Sequence, residues 1–277
     1  MPSKKELSLP LEVAEAFPGL TPGQFRLLGY CAYRGGFPLN PWTVTLYDGR
    51  FEIPKGRTEA DRKALEQKGF LVGGEILPRD YFRIVVPVVK HFPEWARAYG
   101  DFSRFRSETS AYLWAVAECI AAGNLSQARK LRFPAKEGIW QYFIDLLFAD
   151  DYGDKVLSIL PQKEAEQLLA IFLQDKFENG KLDESTLDTV LAYARDGFPR
   201  SVDIPGRAAA YTYFLTGVRP EDPSPGRSFW ADGIRATDQL LKGNLPEALE
   251  TFLKARSLTP PGCDGTFPDR LMTWFYA

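Results

Sequence analysis

Apolar residues recur along the first third of the chain in two different rhythms. Leu9, Val13 and Phe17 share one face of a short helix over residues 7–17, which Pro18 and Gly19 end. Thr21 and Pro22 then read as the N-cap and first position of a second helix. It carries Phe25, Leu28 and Ala32 on one side and closes at Gly35 and Gly36. From Trp42 to Tyr47 the residue types are those of a strand, and Asp48-Gly49 is a hairpin-turn dipeptide, with residues 50–54 as the return strand. Thr58 is read as the N-cap of a further helix, acidic early and ending on Lys68, with Gly69 as its stop. Phe70-Leu71-Val72, a polar tip over residues 73–80, and the run from Tyr81 to Val86 complete a predicted β-hairpin.

Beyond Val88 the two-residue rhythm fades. Helices are expected over residues 92–99, 108–122, 124–132, 138–149, 162–178, 184–196, 207–216, 228–242, 246–257 and 268–277, with residues 220–226 as the most linker-like stretch. Helices joined by short turns imply antiparallel pairs. A six-residue pattern occurs twice: Gly123-Asn124-Leu125-Ser126-Gln127-Ala128 and Gly243-Asn244-Leu245-Pro246-Glu247-Ala248 share Gly-Asn-Leu-x-x-Ala. The expected fold class is therefore mainly α: an α+β head over residues 1–95 and a helical stack over 96–277, the stack continuing past the chain end.

With 277 residues, 45% of them hydrophobic and 25% charged, the composition is that of a globular protein with a real core. No run approaches the roughly 18 apolar residues of a membrane span, and the basic N-terminus is followed by no apolar signal segment. Cys31, Cys119 and Cys263 are odd in number and far apart, which suits a reducing, cytoplasmic location better than a disulfide framework. Net charge is −2, divided unevenly: residues 1–107 hold 16 Lys/Arg against 12 Asp/Glu, residues 108–277 hold 18 against 24. That asymmetry suggests two modules with different partners.

Ala236, Ala248, Phe252, Ala255 and Pro260, with Gly243 at the turn, have the spacing of one tetratricopeptide repeat, a unit of about 34 residues. Over residues 229–262 the chain resembles that family. The earlier echo keeps Gly123 and Ala128 but has Arg132 where the repeat places an aromatic. The resemblance implies a helical stack that binds a protein or peptide. The head resembles a MarR-like winged helix in three pieces: the helix from Leu20, the helix ending Ala64-Leu65-Glu66-Gln67-Lys68-Gly69, and the hairpin over residues 70–86. That resemblance implies DNA contact by the second helix in the major groove and by the hairpin tip. The DNA-binding candidates are Lys55, Arg57, Arg62, Lys63 and Arg79. Two departures stand out. Strand-like residues occupy the place of the family's positioning helix, and Glu59, Asp61 and Glu66 would repel phosphate.

No catalytic constellation accompanies these pieces. His91 is the single histidine, with no nucleophile elbow, zinc-ligand spacing or phosphate-binding glycine loop elsewhere. Asp175-Lys176-Phe177-Glu178-Asn179-Gly180 has a calcium-loop outline, but Phe177 occupies a ligand position. Asp150, Asp151 and Asp154 read as a solvated turn, and Asn124-Leu125-Ser126 as a chance glycosylation pattern. No cofactor and no metal are expected. The apolar ending Trp274-Phe275-Tyr276-Ala277 suggests a fragment of a longer DNA-acting protein, a bacterial Swi/Snf-like helicase being one such parent. The expected function is a non-catalytic module binding DNA or protein through its head and protein through its stack. The alternatives are a one-component transcriptional regulator and an enzyme with an unrecognised pocket.

Overall fold

The computed structural model describes Leu9 and residues 11–38, 40–90, 106–134, 138–144, 146–147, 153–198, 203–218 and 229–258. Among these the chain is mainly α-helical and contains no β-strand; the one β feature is an isolated bridge between Val72 and Glu75. Contacts divide the chain into two compact units, residues 1–165 and 166–277. The expected head–stack boundary at 95/96 lies outside the described residues.

The first unit opens with α1 (Leu11–Ala16) and α2 (Pro22–Tyr33). Thr21 and Gln24 form a reciprocal capping box, each side chain accepting from the other's backbone N–H, so the start of α2 is fixed locally. α3 (Pro41–Phe51) stands where two strands were expected. The Asn40 side chain accepts from the Thr43 N–H at 2.8 Å and Pro41 takes the first turn, which is the same start signal as Thr21-Pro22. Asp48-Gly49 therefore lies inside the last turn of a helix, and the left-handed residue is Glu52. α4 (Arg57–Gln67) begins after Gly56, and Thr58, expected as its cap, is buried inside the first turn with its hydroxyl bonded to Asp48.

The second correction is the hairpin over residues 70–86. Residues 72–75 form a tight turn, a single 3-10 turn spans Pro78–Asp80, and α5 (Tyr81–Lys90) replaces the return strand. Tyr81, Val85 and Val88 are buried at the i, i+4, i+7 spacing of a helix face, with Phe82 and Ile84 beside them. The aromatic and β-branched residues that suggested a strand are used here for packing, which outweighs local propensity. The winged-helix expectation thus loses its wing.

α6 (Glu108–Ala121), α7 (Leu125–Ala128), α8 (Gln141–Ile144) and α9 (Gly153–Ile159) complete the first unit, where α5 packs on α6. α5, α6 and α8 share an anchor at the C-terminus of α2, where the last carbonyls have no intrahelical donor. Tyr81 Oη donates to Ala32 O at 2.8 Å, Ser110 Oγ to Arg34 O at 2.6 Å, Tyr142 Oη to Gly35 O at 2.8 Å, and the Ile76 N–H to Gly36 O at 2.9 Å. Segments far apart in sequence thereby converge on one helix end. Gly35 and Gly36 make this possible: both have left-handed φ (+81° and +86°), and an added Cβ would lie 2.7 Å from Ser110 Oγ and 2.7 Å from Ile76 O respectively.

In the second unit, α10 (Gln162–Glu178), which starts at the end of the first, is followed by α11 (Glu184–Gly197), α12 (Asp203–Thr216), α13 (Phe229–Leu241) and α14 (Leu245–Arg256). Arg207, 4% exposed, ties three of them. Its guanidinium lies 4.6 Å above the Trp230 ring, 3.6 Å from Asp203, and within 3.5 Å of Gln174 Oε1 and Tyr211 Oη. Trp230 Nε1 donates to Asp203 at 2.7 Å, and Tyr211 stacks on Phe177 at 4.2 Å. α13 and α14 form a helical hairpin whose buried residues include Ala236, Ala248, Phe252 and Ala255.

The repeated Gly-Asn-Leu-x-x-Ala segments adopt one conformation. Gly123 and Gly243 are left-handed, Asn124 and Asn244 donate their N–H five residues back at 2.8 and 2.9 Å, and Ala128 and Ala248 are fully buried. Each is a glycine-terminated helix end running directly into the next helix.

Candidate functional site

α4 carries most of the residues singled out for DNA contact, and it surrounds them with carboxylates. Arg57 Nε lies 3.3 Å from the buried Asp61 carboxylate. Arg62 takes Glu59 in a two-pronged grip, at 2.6 and 2.9 Å, and Glu66 at 2.6 Å. Lys63 Nζ is 3.8 Å from the same Glu59. The spacing explains the pairing: acids three and four residues from a base on a helix are its nearest neighbours. Hydrogen bonding to Arg62 holds the Glu59 carboxyl below its usual value and raises Arg62 in turn.

The remaining candidates are separate from this row. Arg79 lies in the 3-10 turn, its Nε 3.7 Å from Asp80, which also receives Arg83 at 2.8 Å. Lys55 is exposed in the turn before α4. The structure thus gathers Arg57, Arg62 and Lys63 on one helix and places Arg79 on no hairpin tip.

The other candidate chemistry disperses. His91, Cys263, Asp150 and Asp151 lie outside the described residues. Asp175 lies in the last turn of α10, where its carbonyl and carboxylate accept from Asn179 Nδ2 at 2.8 and 3.0 Å, and Phe177 is stacked on Tyr211. No group of three or more potential metal ligands occurs among the described residues. Burial pushes the Cys31 thiol up to about 12, so it is protonated at neutral pH and a poor nucleophile. No described helix is long and apolar enough to cross a membrane.

Two features escaped the sequence reading. Phe37, Trp42 and Val72 are 44%, 54% and 56% exposed. The Gly36–Ile76 hydrogen bond ties the residue before Phe37 to the residue just after the 72–75 turn. The second is the cation–aromatic pair of Arg106 over Tyr33, at 4.0 Å, with the Arg106 guanidinium donating to Ser110 O. Neither has a local sequence signal beyond the Asn40-Pro41 helix start that presents Trp42. Comparison with known families, with curated proteins and with solved structures finds no match for this chain.

Proposed function

We propose that the chain is a non-catalytic interaction module whose head engages a protein surface. The observation that carries this reading is the commitment of Arg57, Arg62 and Lys63 to carboxylates on their own helix. Phosphate contact draws its free energy from cations that neutralise the backbone and release counterions. Here each such contact must first displace an internal carboxylate, and Glu59 and Glu66 then face the phosphates. A protein partner carries no such penalty, and the exposed Trp42 and Phe37 supply the aromatic anchors typical of protein interfaces. The buried small residues of the α13–α14 hairpin support reading the second unit as a tetratricopeptide-like stack, also a protein-binding architecture.

DNA contact through α4 is the second reading, favoured by the basic excess of residues 1–107 and by exposed Lys55. A mobility-shift titration with duplex DNA at about 100 mM salt separates the two. The protein reading expects no saturable shift and no change in Arg62→Glu with Lys63→Glu. A saturable shift that weakens steeply with salt and disappears in that double variant overturns it.

A further inference from the structure

We draw no further inference here: the strongest candidate, the surface patch of exposed leucines on the last helical hairpin (Leu241 at the end of α13, Leu245 and Leu253 on α14), is an unpartnered apolar face, and nothing among the described residues shows what covers it.

Discussion

Gly35→Ala tests the helix end on which the first unit is built. Two costs add at this position. The first is backbone: an L-residue at φ +81° pays about 1–2 kcal/mol. The second is contact: the new Cβ would lie 2.7 Å from Ser110 Oγ, 3.1 Å from its Cβ and 3.2 Å from its Cα. The last of these is backbone of α6, so rotation of the serine side chain cannot relieve it. Separating α2 from α6 enough to admit a methyl group costs about 1–3 kcal/mol, as overpacking in cores does. The sum is roughly 2–5 kcal/mol, a large part of the roughly 5–15 kcal/mol by which domains are stable. Gly69→Ala is the internal control. Gly69 ends α4 in the same manner, at φ +76°, with nothing within 4 Å of its built Cβ, so it pays the backbone cost alone. Urea denaturation followed by circular dichroism should show Gly35→Ala losing at least about 1 kcal/mol more than Gly69→Ala. Equal losses would mean that α6 does not approach α2 as described.

Three further outcomes follow from particular residues. Gly49→Ala should stabilise the protein by about 0.5–1 kcal/mol in thermal or urea unfolding, because Gly49 is helical, exposed and has nothing within 4 Å; a hairpin turn there would make the same change destabilising. Tyr112→Phe should leave stability unchanged or raise it by about 1 kcal/mol, because the buried Tyr112 hydroxyl has no hydrogen-bond partner among the described residues; a loss of that size would reveal a partner for it. Alkali should destabilise the fold above pH 10. Burial raises Tyr30 and Tyr142 from 10.0 to about 12, and raises Tyr47, Tyr81 and Tyr112 still further. The stability they contribute is complete below the unfolded value and is lost as pH rises towards the folded ones, because only the unfolded chain then releases these protons. Urea midpoints that stay constant across pH 10–12 would refute this.

The helices that the sequence disclosed are those whose caps and periodicity agree. α2 follows from Thr21-Pro22, and the helices expected over 162–178, 184–196 and 246–257 appear within a residue or so of those limits. α3 was legible too, because Asn40-Pro41 is as good a start as Thr21-Pro22, but the β-forming run Trp42–Tyr47 and the Asp48-Gly49 pair masked it. α5 was harder. Tyr81, Val85 and Val88 sit at helical spacing, yet every residue between them except Arg83 is also apolar, so the periodicity is blurred. The pairing on α4 was readable from the spacing of Glu59, Arg62, Lys63 and Glu66, whereas the anchor at Gly35 and Gly36 was not. It joins Ile76, Tyr81, Ser110 and Tyr142, and no local pattern announces which distant hydroxyl meets which carbonyl.

The described residues of the head form helices and no strand, and backbone chemical shifts of residues 41–51 and 81–90 test that directly. Helical Cα and carbonyl shifts through both segments are the predicted result. Strand-like shifts over Trp42–Tyr47 or Tyr81–Val86 would contradict it and restore the hairpins, and with them the wing.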